Sequence, residues 1–299
     1  MKISSYKKTP LAAIVFWCVS FVCILSCTDR IDINTEASAP RLVIYGYITS
    51  DTTQHNIKIT RSSGYFSTEK PEGIRNALVT IRTEQECFTL KESPLEAGLY
   101  QTDASVYGTE GKTYHLSVIV DFDEDGETEE YEASSYMPHP PRIDSIDFRP
   151  SILFDNYLEV LIWGHMPEKD ENYLSFHLYR NQEIVNDSLQ GFFIIDDEYM
   201  QQTEIIGVPC FYLDQEEEQS ILHDGDEITA RIDGVTKEYA TFIGNAQSEL
   251  WGSDPIFSGP PANVETNITS KHPSEDIRVS GFFTAFSGSK KKTVYHPKK

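Results

Sequence analysis

Positive charge is scarce in this chain of 299 residues. It has 25 lysine and arginine residues against 47 aspartate and glutamate residues, which gives a formal net charge of −22 at pH 7. So acidic a surface repels nucleic acid phosphates and anionic lipid headgroups. We therefore expect no nucleic acid and no anionic headgroup surface among its partners.

Cysteine is also rare, and three of the five cysteines lie within the first 27 residues. Beyond that point only Cys87 and Cys210 remain. A disulfide between them would require an oxidising compartment, which an exported protein meets. Because the two residues fall in different predicted domains, we expect two separately buried thiols, with the disulfide as the alternative.

Short motifs that mark catalytic or nucleotide-binding sites are missing from the sequence. It contains no G-x-S-x-G, no G-x-x-x-x-G-K-[ST] and no H-E-x-x-H, and its eight histidines are scattered. We therefore assign no catalytic residue and predict a protein without enzymatic activity. A surface hydrolase whose carboxylates meet only in the fold is the alternative from a different class.

The first 26 residues have the order of a secretory signal peptide. Three lysines precede an apolar run over residues 10–26, which ends on a small residue. This run is short for a bilayer-spanning helix, which needs about 20 residues. Removal of residues 1–26 takes away three lysines and no acid, so the formal charge becomes −25.

The end of the apolar run resembles the bacterial lipobox. Residues 24–27 read Ile-Leu-Ser-Cys: an aliphatic residue, a variable one, a small one and then Cys27. The resemblance implies that Cys27 is diacylated and becomes the new amino terminus, with residues 27–40 as a lipidated tether. Two acyl chains hold a protein stably at a membrane, whereas one holds it only marginally. A plain transmembrane anchor is the alternative.

The first half of the mature chain is rich in short β-branched and aromatic runs. Clusters of Gly, Pro, Asp, Ser or Thr separate them, as expected for an antiparallel β-sandwich. The seven runs are 41–49, 55–61, 77–83, 87–91, 98–102, 113–120 and 131–137. We therefore predict a first sandwich over residues 41–137, of immunoglobulin or transthyretin type. The proline-rich residues 138–142 (PHPPR) are predicted to be a linker.

The second half repeats the β pattern less regularly. Its runs are 143–148, 157–163, 173–180, 191–196, 208–213, 226–232 and a closing strand at 278–286. Between the last two, residues 236–251 place apolar side chains three and four positions apart, which is helical spacing. We predict a second β-rich domain over residues 143–288 with one amphipathic helix. The basic residues 289–299 are predicted to be a frayed tail.

The order of these motifs resembles a known family. The lipobox, RLVIYGYIT, NALVTI, GLYQT, KTYHLSV, MPHPPRIDSI, PPANVETNI and VSGFFTAF follow one another as in the Bacteroidetes outer-membrane lipoproteins of unknown function called DUF4249. The first half is also similar to carboxypeptidase regulatory-like sandwiches. The resemblance implies an outer-membrane lipoprotein, facing the periplasm or the cell surface, that assists a TonB-dependent receptor in nutrient uptake. It assigns no catalytic residue.

One loop carries a possible metal-binding pattern. In DFDEDGETEEYE (121–132), Asp121, Asp123 and Asp125 alternate before a glycine, and Glu132 stands at position twelve. This is the spacing of the EF-hand calcium loop, which also uses the backbone carbonyl at position seven, in this chain that of Glu127. Because the loop joins two predicted strands, a solvated acidic hairpin is the alternative to a calcium site. The sequence suggests no cofactor other than calcium.

Three functions follow from these observations. The leading prediction is a non-catalytic cell-envelope lipoprotein that serves as a binding or accessory partner of a TonB-dependent outer-membrane transporter. A calcium-stabilised adhesion or structural module is the second, and a surface hydrolase is the third. The acidic run QEEEQ (215–219) is interpreted as a solvated loop.

Overall fold

The computed structural model describes most of the chain after the predicted tether. The described residues are 40–63, 67, 69–167, 172–186, 188–197, 203–218, 220–250, 264–271 and 278–297. The predicted signal peptide, Cys27 and nearly all of the predicted tether lie outside them. Within the described part, no helix has the length and apolarity needed to cross a membrane.

Strands dominate the described residues. The first nine are β1 (Leu42–Thr49), β2 (Asn56–Arg61), β3 (Glu72–Gly73), β4 (Leu78–Arg82), β5 (Cys87–Thr89), β6 (Lys91–Glu92), β7 (Leu99–Gln101), β8 (Thr113–Val120) and β9 (Glu129–Tyr136). The next nine are β10 (Arg142–Pro150), β11 (Tyr157–His165), β12 (Tyr173–Arg180), β13 (Glu183–Ile184), β14 (Phe193–Asp196), β15 (Glu204–Asp214), β16 (Glu227–Val235), β17 (Thr269–Ser270) and β18 (Val279–Val294). The described part has one α-helix, α1 (Lys237–Leu250).

These strands form three sheets. A ten-stranded sheet has the order β13-β12-β16-β18-β1-β2-β7-β6, with β14 paired to β12 and β3 paired to β2. A five-stranded sheet has the order β17-β9-β8-β4-β5, and a three-stranded sheet the order β10-β11-β15. The prediction of a mainly β protein with antiparallel sandwiches is confirmed.

The first sandwich packs the five-stranded sheet on one half of the ten-stranded sheet. Side chains alternate strictly in β8, where every second residue from Tyr114 to Val120 is buried. They meet buried residues of β1 and β2, such as Ile44 and Ile59. One face of each sheet is therefore apolar, which is the pattern that made these strands recognisable in the sequence.

The second sandwich packs the three-stranded sheet on the other half of the ten-stranded sheet. Val160 and Ile162 of β11 share a core with Leu178 of β12 and Ile232 of β16. The two sandwiches thus have separate cores but one sheet in common.

Strand β18 connects both sandwiches. Its first half pairs in parallel with β1, from Leu42 opposite Val279 to Thr49 opposite Phe286. Its second half pairs with β16, and Phe283 is fully buried in the first core. The predicted closing strand is therefore confirmed, but it completes the first sandwich as well as the second.

The prediction of a frayed basic tail from residue 289 is wrong. Residues 289–294 belong to β18, where Lys290 to Lys292 lie opposite Arg231 to Thr229 of β16. Lys290, Lys291 and Lys292 are all exposed, so polar side chains occupy both faces of the strand at this end and no apolar residue alternates with them. Hydropathy patterning gives no signal for such a segment.

The amphipathic helix is confirmed at Lys237–Leu250. It buries Tyr239 and Ile243 against the ten-stranded sheet, where Phe242 packs on Phe282 with ring centroids 4.7 Å apart. The helix therefore covers the outer face of the shared sheet near the junction of β18 with β1.

Candidate functional site

The acidic loop joins β8 to β9 as a hairpin. Val120 pairs with Glu129, so residues 121–128 form the connection. Gly126 has a φ of +91° and Glu124 a φ of +63°, both in the left-handed region that tight turns use. The loop therefore turns back on itself and concentrates its carboxylates at one end of the first sandwich.

Three of the predicted ligands meet at this hairpin. Asp121, Asp123 and Asp125 each place a carboxylate oxygen within 4.8 Å of the other two. Backbone N–H groups hold them there: Gly126 donates to Asp121 Oδ2 at 3.1 Å and Glu127 to Asp125 Oδ1 at 2.8 Å. Hard oxygen ligands so arranged suit a divalent cation such as calcium.

One oxygen of Asp121 is distinctive. Its Oδ1 atom is buried and has no hydrogen-bond partner among the described residues, although the residue itself is only half-buried. A buried carboxylate oxygen without a partner costs free energy, which a cation or a bound water would offset.

Glu132 does not join this cluster. It lies within β9, opposite Ser117 of β8, and its carboxylate is 2.9 Å from Lys271 Nζ. Glu127 stays in the loop, where its N–H group serves Asp125. In an EF-hand, the loop leads into a helix at position twelve. In this chain the loop leads into a strand, and the hairpin register places Glu132 along that strand, away from the turn. Of the predicted ligands, the structure therefore brings three carboxylates together and places Glu132 apart from them.

Arg61 anchors the hairpin, and sequence reasoning did not single it out. Its guanidinium lies 4.4 Å from the ring centroid of Phe122 and donates from Nη2 to the Phe122 carbonyl at 2.8 Å. A lone arginine at the end of β2 has no sequence signal that links it to a loop 60 residues away. The contact places one positive charge under the acidic loop.

A polar cleft of about 510 Å³ opens beside the loop. Its charged and amide lining consists of Arg61, Glu72, Arg75, Asn76, Asp121 and Glu124. The Arg75 Nη1 atom lies 3.0 Å from Glu92 Oε1, so this guanidinium is already engaged in an ion pair. The cleft offers hydrogen-bonding groups that carry charges of both signs, which suits binding of a small polar ligand.

A second polar cluster is buried in the shared sheet. Arg231 donates from Nε to Asp233 Oδ1 at 2.7 Å, and its Nη1 atom donates to Asp51, which follows β1. His177 Nε2 lies 3.4 Å from Asp233 Oδ2 and 3.1 Å from Ser175 Oγ. Burial raises the pKa of Asp233 to about 7 although Arg231 acts in the opposite direction. Burial and the nearby Arg231 lower the pKa of His177 to about 4.

The geometry of this cluster differs from a hydrolytic triad. In a triad the serine and the acid contact opposite nitrogens of the imidazole. In this cluster Ser175 and Asp233 both approach Nε2, while His177 Nδ1 is buried with no partner among the described residues. Ser175 is only 1% exposed, so a substrate has no access to its hydroxyl. The cluster therefore serves to fasten the loop after β1 to β16.

Both cysteines among the described residues are free. Cys87 is exposed on β5, whereas Cys210 is buried in the second core and donates to the Val160 carbonyl at 3.3 Å. Burial raises the pKa of the Cys210 thiol to about 12. The prediction of separately buried thiols holds for Cys210 only, because Cys87 lies on a short strand at the edge of its sheet, with its side chain in solvent.

Comparison with known proteins gave one family and a distant structural likeness. The model of a family described as "Domain of unknown function (DUF4249)" matches residues 28–292. A crystal structure of the chicken CNTN1 FN1-FN3 domains is similar at 16% identity and a TM-score of 0.26, over 67% of this chain and 64% of that one. This chain therefore spans less than two thirds of that structure. A search of curated proteins found no match.

Proposed function

Because the chain belongs to the DUF4249 family, we propose that it is a non-catalytic lipoprotein of the outer membrane that assists a TonB-dependent transporter in nutrient uptake. The observation that carries the proposal is the lipobox at residues 24–27, followed directly by a family match that begins at residue 28. The paired β-sandwiches add support, since sandwich proteins commonly bind through the loops at their ends.

In this proposal Cys27 carries the lipid and residues 28–40 form the tether. The mature chain has a formal charge of −25, so electrostatic attraction to anionic headgroups does not hold it at the membrane. Lipid attachment is the anchor that such a surface needs.

Fractionation of cells that produce the Cys27→Ser variant tests the anchor. We expect the wild-type protein in the outer-membrane fraction and a lipid label on it, and we expect the variant to lose both. Cys23→Ser, which lies inside the predicted signal peptide, is the matched control and keeps both. A variant at Cys27 that still takes up the lipid label contradicts the assignment.

Crosslinking of intact cells, followed by purification of the protein and mass spectrometry, tests the partner. Recovery of a TonB-dependent receptor in near-equal amount is the expected result. Recovery without any receptor contradicts the accessory role and directs attention to a free-standing adhesin or hydrolase.

A calcium-stabilised surface module is the second candidate function. The observation that favours it is the convergence of Asp121, Asp123 and Asp125 around a buried carboxylate oxygen without a partner. Calcium at about 100 times its dissociation constant would add about 2.7 kcal/mol to the free energy of unfolding. We would compare melting temperatures in calcium and in chelator for the wild type, Asp123→Asn and the control Glu84→Gln. Equal melting temperatures of the wild type in both conditions contradict this function.

A further inference from the structure

Three consecutive bulky apolar residues stand in solvent at one hairpin. Ile152, Leu153 and Phe154, in the connection between β10 and β11, are 77%, 66% and 52% exposed. Single exposed apolar residues are ordinary, but a contiguous exposed run marks an interaction surface or an aggregation hazard. We call these three residues the apolar tip.

A network of hydrogen bonds centred on Glu159 and Ser151 holds the backbone of the apolar tip. The carboxylate of Glu159 has no solvent exposure and accepts hydrogen bonds from Arg149 Nε at 2.6 Å and Ser151 Oγ at 2.9 Å. Ser151 Oγ in turn accepts from the N–H groups of Leu153 at 3.1 Å and Phe154 at 3.2 Å. A buried acid and a serine therefore fix the backbone that carries the tip. Such preorganisation lowers the entropy cost of binding.

Aromatic side chains extend the patch onto the neighbouring strands. The Phe154 ring lies 5.6 Å from Tyr157 of β11 and 5.5 Å, edge to face, from Tyr212 of β15. Tyr212 is itself 39% exposed. Clusters of aromatic residues at the centre of a patch are typical of protein interfaces.

Acidic residues lie beside the patch. Asp155 follows the tip directly, and Glu216, Glu217 and Glu218 are exposed in the loop after β15. Asn156 links the two segments, because its Nδ2 atom donates to Glu216 Oε1 at 2.7 Å and its carbonyl accepts from the Gln215 N–H at 2.8 Å. We call Asp155 and Glu216–Glu218 the acidic rim. The three glutamates of the acidic run QEEEQ thus lie exposed beside the apolar tip.

We propose that the apolar tip and its acidic rim form a docking surface for a protein with an apolar pocket bordered by lysine and arginine residues. Charge complementarity selects this occupant. An anionic membrane surface would face the carboxylates of the rim, and a second copy of this chain would bring an identical acidic rim against it. The proposal rests on the proposed function only for the identity of the partner, which would be the transporter.

Site-specific photocrosslinking in intact cells tests the docking surface. A benzophenone amino acid replaces Leu153 in one variant and Leu95 in a matched control. Leu95 is 95% exposed but lies in the turn between β6 and β7 of the first sandwich. We expect an adduct from position 153 and none from position 95, with the crosslinked partner peptides rich in apolar residues, lysine and arginine. An adduct with lipid, an adduct with a second copy of the chain, or no adduct overturns the proposal.

The affinity of this protein for the partner that crosslinking identifies, measured with both proteins purified, gives the quantitative test. Leu153→Ser should weaken binding at least about tenfold, because a buried leucine side chain contributes about that much to affinity. Leu95→Ser should leave the affinity unchanged. Glu216→Lys combined with Glu217→Lys should slow association and reduce its dependence on salt. Unchanged affinity of Leu153→Ser, in a variant that melts at the wild-type temperature, overturns the proposal.

The two proposals fail in different ways. If the transporter is recovered with wild type and with Leu153→Ser alike, and position 153 gives no adduct, the docking surface is wrong and the accessory role stands. If position 153 crosslinks another protein with a basic-rimmed apolar pocket, the docking surface stands and the transporter partnership fails.

Discussion

At the scale of single residues, hydrogen-bond donors determine how far burial shifts the pKa of a carboxyl group in this protein. Glu159 and Asp233 show two outcomes of burial. Burial alone would raise the pKa of Glu159, but Arg149, Ser151 and a backbone N–H together hold it below its ordinary value. Asp233 has Arg231 as its hydrogen-bond donor, and burial raises its pKa to about 7. The three donors to Glu159 outweigh its desolvation. Arg231 does not outweigh the desolvation of Asp233, whose pKa the nearby Asp51 charge raises further.

The Glu159→Gln substitution tests the support beneath the apolar tip. The amide keeps the shape of the side chain but removes the charge and the oxygen that accepts from Arg149, so we expect a loss of about 2 kcal/mol in the free energy of unfolding. Urea unfolding at pH 7 measures it. The depressed pKa of Glu159 also predicts that wild type loses this contribution as pH falls below the ordinary glutamate range, and that Glu159→Gln does not.

The control for this prediction is Glu183→Gln, an exposed glutamate on β13. It should leave the free energy of unfolding within about 0.5 kcal/mol of wild type. Equal stability of Glu159→Gln and Glu183→Gln would contradict the bracing role of Glu159. Amide hydrogen exchange at Leu153 and Phe154 should accelerate in Glu159→Gln alone, because Ser151 then loses its fixed position.

His177 makes stability depend on pH between about 6.5 and 4. Its folded-state pKa of about 4 lies below the ordinary value of 6.5, so the unfolded chain binds the proton more readily. The stability that the neutral imidazole allows is present above pH 6.5 and is lost as pH falls toward 4. At pH 5 the loss relative to pH 7.5 is about 2 kcal/mol.

His177→Gln removes this dependence. Asp233, whose raised pKa has the opposite effect on stability over the same range, is present in both proteins, so the difference between wild type and variant reports mainly the histidine. We expect the stability gap between the two proteins to change by about 2 kcal/mol between pH 7.5 and pH 5. His115→Gln, a partly exposed histidine on β8, is the control. A gap that is constant with pH would contradict the assignment.

At the scale of elements, the parallel pairing of β18 with β1 depends on one glycine. Gly281 has a φ of +104°, and a Cβ atom built on it would lie 2.0 Å from the Ile44 carbonyl oxygen. Gly281→Ala should therefore cost at least about 2 kcal/mol through backbone strain and displacement of β1.

Gly244 supplies the matched control for that substitution. It lies on the exposed side of α1, and a Cβ atom there meets nothing within 4 Å. Gly244→Ala should raise stability by up to about 1 kcal/mol, because alanine is the better helix former. Thermal melts of both variants measure the two effects. Equal effects of the two substitutions on stability would contradict the claim that the close approach of β1 requires a glycine at position 281.

Most strands were predictable because they alternate. The runs at 113–120 and 173–180 match β8 and β12 residue for residue, since every second side chain faces a core. The helix was predictable for the same reason, with a period of 3.6 residues. Three of the four two-residue strands, β3, β13 and β17, fall in no predicted run, because two residues carry no periodicity.

Pairing across long sequence distances was not predictable. The register of β1 with β18 joins residues more than 230 positions apart, and periodicity says nothing about which strands become neighbours. At the candidate site, the three aspartates follow from their spacing within one turn. Glu132 and Arg61 do not, because the hairpin register places Glu132 and a packing contact places Arg61.

At the scale of the whole molecule, the shared ten-stranded sheet makes the first sandwich depend on the end of the chain. Residues 40–141 contain nearly all of its strands, but Phe283 and Ala285 of β18 are fully buried in its core. Asn267 also holds the edge of β18 through two hydrogen bonds to the Phe283 backbone, at 2.7 and 3.0 Å. The segments around Asn267 and Phe283 are therefore part of the first sandwich.

A fragment of residues 40–141 should consequently fail to fold alone. Without β18 it exposes β1 as an unpaired edge and leaves a cavity where Phe283 packs, and loss of a buried phenylalanine by itself costs about 3–5 kcal/mol. The same fragment with residues 264–288 joined ahead of residue 40 through a flexible linker of about 15 residues should fold, because a parallel pair needs a long crossover. Circular dichroism melts compare the two with the chain of residues 28–299. A cooperative transition of the shorter fragment near the melting temperature of that chain would show that the first sandwich is independent of β18.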